Sequence, residues 1–143
     1  LNPGNGGSPL SFDLHGTDST HLAAIRGWAA GILGDLGAPH REDVLLVLTE
    51  IAQNAYQHGG GARTLLLTRL AAPCEVRIDV EDNSVVPPRM RTPEPTTFGG
   101  RGLFLVDTLS AAWGSRDDLP ANSKTVWARV RCDLEHQEPC RRP

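Results

Sequence analysis

The chain has 143 residues, 39% hydrophobic and 22% charged, with a formal net charge of -3. That length suits one domain with a real core, and those proportions are ordinary for a soluble globular protein. The negative balance argues against a nucleic-acid binder working through a basic face, because the basic residues gather only locally, at Arg89/Arg91 and Arg141-Arg142.

The first eight residues, Leu1 to Ser8, lack the charged-then-apolar form of a signal peptide and read as a disordered lead-in. No apolar run approaches the roughly 20 residues needed to cross a bilayer, so the expected location is cytoplasmic. Three cysteines, Cys74, Cys132 and Cys140, show no metal-ligand spacing, and reduced thiols are expected.

The domain is expected over 9–132. Pro9 to Leu14 alternates Leu10, Phe12 and Leu14 on one side and predicts a first strand. Thr17, Asp18 or Ser19 can cap a helix that turns Leu22, Ile25, Trp28 or Ala29, Ile32, Leu33 and Leu36 inward and stops at Gly37. Gly27, Gly31 and Gly34 weaken that helix by about 1 kcal/mol each relative to Ala, and close approach to a neighbouring element would account for them. His15, His21 and His40 read as solvated side chains rather than ligands.

A second helix is predicted from Pro39 or His40 to His58, with the Gly59-Gly60-Gly61 run ending it. Val44, Leu48, Ile51 and Ala55 form its apolar stripe, and Glu50 and Asn54 fall a quarter-turn to one side, one above the other. A carboxylate there can take a proton or hold a water, and a carboxamide oxygen suits a hard cation such as Mg²⁺. Taken alone, the pair is an ordinary surface feature of an amphipathic helix.

Thr64 to Leu70 and Glu75 to Asp82 predict an antiparallel hairpin. In its second strand Val76, Ile78 and Val80 alternate with charged residues, giving one wet and one buried face. Ser84 to Phe98 holds Pro87, Pro88, Pro93 and Pro95, a density that forbids a regular element and suggests a lid or binding loop. Gly99-Gly100-Arg101-Gly102 then opens a helix with Leu103, Val106, Leu109 and Ser110 inward, ending near Trp113-Gly114. A glycine-rich turn at a helix start presents backbone N–H groups to a phosphate, and Gly100 and Gly102 would admit one without Cβ clashes. Trp113 to Leu119 and Ser123 to Cys132 form a final hairpin around Pro120-Ala121-Asn122. A polar tail, 133–143, follows.

The order of these parts fits nucleotide binding. Asp82 at a strand end can accept a hydrogen bond from an exocyclic amine and so select adenine. Asn54 could hold Mg²⁺ against the phosphates, and Glu50 could orient or deprotonate the attacking group.

Glu50-(x)3-Asn54-Ala55-(x)2-His58-Gly59 resembles the N box of the GHKL superfamily of ATP-binding domains. Asp82-Asn83-Ser84 sits where the superfamily's first glycine box has Asp-x-Gly, and Gly100-Arg101-Gly102-Leu103-(x)2-Val106 resembles its second. Thr125 lies where relatives often have a Thr that helps hold adenine. The resemblance covers about Phe12 to Arg131. Within the superfamily the short form with "GRGL" and "KTVW" is most similar to anti-sigma-factor serine/threonine kinases of actinobacteria.

The resemblance implies an α/β Bergerat sandwich, a mixed, mostly antiparallel sheet with helices on one face and ATP beneath a lid. It gives Asn54 to Mg²⁺, Glu50 to the base or water-positioning role, Asp82 to adenine, Gly100 and Gly102 to phosphate contact, and Arg101 and Leu103 to the nucleotide site. It also implies partners, a sigma factor and an anti-anti-sigma protein of the STAS type, and by analogy a homodimer. Ser84 departs from the glycine of the first box, so a non-glycine backbone must fit beside the adenine, with a positive φ as one way of doing so. Two functional readings follow: a kinase acting on a protein serine, or a non-catalytic module whose protein surface is gated by ATP.

Overall fold

The structure is a computed structural model that describes residues 7–71, 74–84 and 102–132. Five strands, β1 (Leu10–Asp13), β2 (Ala62–Ala71), β3 (Cys74–Asp82), β4 (Ala112–Asp118) and β5 (Ser123–Arg131), form one sheet in the order β1-β2-β3-β5-β4. All four pairings are antiparallel. Helices α1 (Leu22–Ile32), α2 (Ala38–His58) and α3 (Gly102–Leu109) bring their apolar side chains onto one face.

Strand alternation decides which face that is. On β3, Val76, Ile78, Val80 and Asp82 are buried, and across the register they meet Val130, Ala128, Val126 and Lys124 of β5. Burying the intervening residues would put charge in the core, so Arg77 and Asp79 lie on the opposite face. There Arg77 pairs with Asp79 at 3.0 Å and stacks its guanidinium 4.9 Å from the Trp127 ring.

Helix α2 is the backbone of the helical layer. Its expected stripe of Val44, Leu48, Ile51 and Ala55 is buried, and Val47 and Ala52 join it. Pro39 lies in the first turn, where the missing N–H costs nothing. Tyr56 binds the layer to the first loop. The Thr17 hydroxyl donates to the Leu14 carbonyl at 2.6 Å, so the Tyr56 hydroxyl is the donor in its 2.7 Å contact with Thr17 Oγ1. Among the described residues no helix is long and apolar enough to cross a membrane.

Several expectations change. A 3-10 turn at Ser19–His21 precedes α1, and Asp18 is the capping residue, accepting from the Thr20 N–H at 2.9 Å. Helix α3 stops at Leu109, short of Trp113-Gly114, because the chain changes partner there. The Ser110 N–H still reaches back to the Val106 carbonyl at 3.0 Å, whereas the Ala111 N–H already reaches the Arg129 carbonyl at 2.8 Å. Gly114 is thus a strand residue, and a Cβ on it would meet the Trp127 ring at 3.2 Å. The expected lid, 84–98, lies outside the described residues apart from Ser84. So do the expected tail, 133–143, and the lead-in apart from Gly7 and Ser8.

His15 and His21 are exposed as expected, but His40 is fully buried and bonded through Nε2 to the Val130 carbonyl at 2.8 Å. Its partner is 90 positions away, so local sequence carries no sign of it. The glycines of α1 are also not packing devices. A Cβ at Gly27 or Gly31 would meet nothing within 4 Å, and both residues are exposed. Gly27→Ala and Gly31→Ala should therefore each stabilise the fold by about 0.5–1 kcal/mol, measured by urea unfolding with an unchanged m-value.

Candidate functional site

The site is built at the end of the sheet where β3 finishes and α2 gives way to β2. Helix α2 ends at His58, and Gly59, Gly60 and Gly61 turn the chain into β2, the last two at φ +68° and +114°. Gly59 has an ordinary φ of -95°, and it is there for another reason. A Cβ on it would lie 2.6 Å from Asp82 Cγ and Oδ2 and 2.6 Å from the Ala55 carbonyl oxygen. The backbone at the end of α2 thus rests directly on the Asp82 carboxylate. No residue with a side chain fits there.

The Asp82-Asn83-Ser84 corner is fastened to the same turn. The Asn83 N–H donates to the Gly61 carbonyl at 3.0 Å, and its Nδ2 donates to the Gly60 carbonyl at 3.2 Å. Arg63 Nε donates to Asn83 Oδ1, and Arg63 Nη2 reaches the Ala121 carbonyl at 3.2 Å in the β4–β5 turn. The Ser84 N–H donates to Asp82 Oδ1 at 2.9 Å. Among the described residues Asn122 is the non-glycine residue at positive φ, so Ser84 fits here without that strained backbone.

Asp82 is 2% exposed, and the 3% exposed Lys124 places Nζ 3.4 Å from its Oδ2. Burial raises the Asp82 pKa above the usual carboxylate value, and the Ser84 N–H and then Lys124 offset this in part. Sequence reasoning missed Lys124. The register makes the reason plain: Lys124 is opposite Asp82 on the helix-covered face, whereas Thr125 is opposite Glu81 and Arg116. The structure therefore brings Lys124 to Asp82 and sets Thr125 on the alternate face of β5. Counting residues from the turn could have found this, had the strand's start been known to one residue.

Glu50 and Asn54 lie one turn apart on the flank of α2, both partly buried, beside the stripe that holds α2 to the sheet. Burial raises the Glu50 pKa above its ordinary value, with no other cause acting on it. Asn54 is one turn short of the helix end, close in sequence to the Gly59 backbone that touches Asp82. Helix α3 packs against α2 and begins at Gly102. The Leu103 side chain is buried in the core. Gly100 and Arg101 lie outside the described residues.

This geometry offers one recognition element and one chemical element. A buried carboxylate held rigid by backbone contacts selects a hydrogen-bond donor of fixed position. A half-buried carboxylate with a raised pKa, one turn from a carboxamide, can hold a proton or water beside a cation ligand. Asn54 suits a hard divalent ion by its donor chemistry.

Two outcomes follow. Gly59→Ala should lower stability by about 1–3 kcal/mol through overpacking, and should displace the Asp82 carboxylate, both read by thermal unfolding and NMR of Asp82. The folded chain holds the Glu50 proton more tightly than the unfolded chain does. That contribution to stability is complete below the ordinary carboxylate pKa and is lost as pH rises through the raised value. Glu50→Gln should therefore raise the melting temperature near neutral pH, and the gain should vanish in acid.

Comparison with known proteins bears on the family and the fold. The profile of the family described as histidine kinase-like ATPase domain matches residues 16–129. The crystal structure of the RsbU and RsbW domains of Rv1364c from Mycobacterium tuberculosis superposes with a TM-score of 0.62 at 17% identity. The match covers 87% of this chain and 32% of that one, so the chain spans about a third of that protein's solved length. No curated protein shows significant similarity to the chain. At that identity the solved structure speaks for the fold, and the profile, which spans most of the chain, speaks for the family. With a helix-borne Glu50/Asn54 pair and a buried Asp82 closing the sheet's end, the chain belongs to the histidine-kinase-like ATPase domains of the GHKL superfamily.

Proposed function

We propose that the chain is a cytoplasmic, ATP-binding anti-sigma regulator that transfers the γ-phosphoryl group to a serine or threonine of a STAS-type anti-anti-sigma partner. The observation that carries this reading is the rigid placement of Asp82. Its carboxylate is buried, oriented by the Ser84 N–H and backed by the Gly59 backbone, as a reader of the adenine amino group must be. Family membership supports ATP as the ligand, and the RsbW domain in the structural neighbour supports the anti-sigma role.

In this reading the Asp82 carboxylate accepts from the exocyclic amine and so discriminates adenine from guanine, which carries a carbonyl at that position. Lys124 keeps the carboxylate's charge compensated in its dry surroundings. Asn54 Oδ1 would hold Mg²⁺, which when bound neutralises charge on the phosphates. Gly100 and Gly102 would admit the phosphates to the backbone ahead of α3. Glu50 orients the attacking hydroxyl and takes its proton. A pKa raised by burial makes it a better acceptor near neutral pH than an exposed glutamate.

Calorimetry with Mg-ATP, Mg-ADP and Mg-GTP should show binding of both adenine nucleotides and at least tenfold weaker binding of GTP. Asn54→Ala and Asp82→Asn should lose this binding while circular dichroism shows the fold retained. Glu50→Ala should keep nucleotide affinity and lose transfer of label from γ-labelled ATP to a STAS protein. Partner affinity that depends on nucleotide and survives Glu50→Ala, with no label transferred by the unaltered chain, would replace the kinase with an ATP-gated binding module.

A further inference from the structure

We propose a second site at the opposite end of the sheet, a Cys₂His centre for a soft or borderline d¹⁰ cation, with Zn²⁺ as the fitting ion. One ligand atom each from His40, Cys74 and Cys132 lie within 4.8 Å of one another. None of the three belongs to the nucleotide site. Strand β3 runs the whole way from Cys74 to Asp82, roughly 26 Å at a rise of about 3.3 Å per residue.

The fold converges these residues from three elements. Cys74 opens β3, and Cys132 directly follows β5, its N–H donating to the Cys74 carbonyl at 2.9 Å. By strand alternation both positions share the face of Val76 and Val130, which the helices cover. His40, in the first turn of α2, comes down onto that end of the sheet. Its Nε2 contacts the Val130 carbonyl at 2.8 Å, and a carbonyl can only accept, so Nε2 carries the hydrogen. The lone pair of the neutral ring then lies on Nδ1. Ligand imidazoles are held in this way, with the second ring nitrogen donating to a backbone carbonyl that fixes tautomer and orientation.

Donor chemistry selects the ion. Two thiolates and an imidazole suit Zn²⁺ and discriminate against the hard Mg²⁺ of the nucleotide site. Binding releases two thiol protons to solvent, and the thiolates balance the 2+ charge. Three protein ligands leave a fourth tetrahedral position for water. The ion would clamp the start of α2 to the ends of β3 and β5. It does so independently of anything that ATP does.

The test uses the full chain under reducing conditions with excess Mg²⁺, and Co²⁺ as the spectroscopic probe. One equivalent should give intense tetrahedral d–d bands with thiolate charge transfer, bleached by one equivalent of Zn²⁺. Cys74→Ser and Cys132→Ser should each abolish the bands, and Cys140→Ser should retain them. One equivalent of Zn²⁺ should also raise the melting temperature of the unaltered chain and of neither serine variant at position 74 or 132. Absent bands, bands that persist in both of those variants, or bands lost in Cys140→Ser alone would overturn the proposal. His40→Ala empties a buried position, so the test is decided by the cysteine variants, whose thiols are only partly buried.

Discussion

A carboxylate buried at the end of a strand is the constraint around which the site is arranged. Asp82 gains nothing from burial itself, since removing its charge from water opposes ionisation. It is held there by three contacts of different kinds: the Ser84 N–H on one oxygen, the Lys124 ammonium near the other, and the side-chain-free Gly59 backbone against the carboxylate. Removing any one would leave a charge without compensation or a clash without relief. The Asn83 links to Gly60 and Gly61 and the Arg63 link to the β4–β5 turn then fix the corner to its neighbours. The last turn of α2 cannot move without moving Asp82. The helix that bears Glu50 and Asn54 and the strand end that bears Asp82 therefore behave as one rigid piece.

The parts legible in the sequence are those set by periodicity. The stripe on α2 and the alternation on β3 each repeat over several turns or pairs, so burial of Val44, Leu48 and Ile51 or of Val76, Ile78 and Val80 follows from spacing alone. The parts that were not legible depend on a partner distant along the chain. Lys124 and Thr125 are neighbours in sequence, and one residue of register decides which of them meets Asp82. His40 resembles a polar residue at the start of an exposed helix until the Val130 carbonyl is placed over it. Cys74 and Cys132 show no spacing rule because their meeting is made by strand pairing, whereas spacing rules describe ligands brought together within one turn or knuckle. Glycine misled in both directions. Gly27 and Gly31 suggested close packing and face open space, whereas Gly59 read as a helix stop and is the point of closest approach.

The two ends of the sheet differ in chemistry. One gathers oxygen donors and backbone amides around a hydrogen-bonded carboxylate, and the other gathers sulfur and imidazole nitrogen. Between them lies the dry interior of Leu65, Leu67, Ile78, Val80, Val126 and Ala128, with α2 running above from His40 to Asn54. Close-packed interiors are hardly compressible and transmit strain, and α2 touches both ends. Its position along the sheet is thus fixed twice, by His40 near its start and by Gly59 just past its finish.

The margins of the sheet bear on how such a chain meets others. One border strand, β1, has four residues, and the other, β4, ends in Arg116, Asp117 and Asp118, all exposed. Brevity at one border and charge at the other discourage a foreign strand from extending the hydrogen-bonded ladder. The ladder thus stops at its own two borders, and the sheet's uncovered surface carries side-chain pairs such as Arg77 over the indole of Trp127 instead.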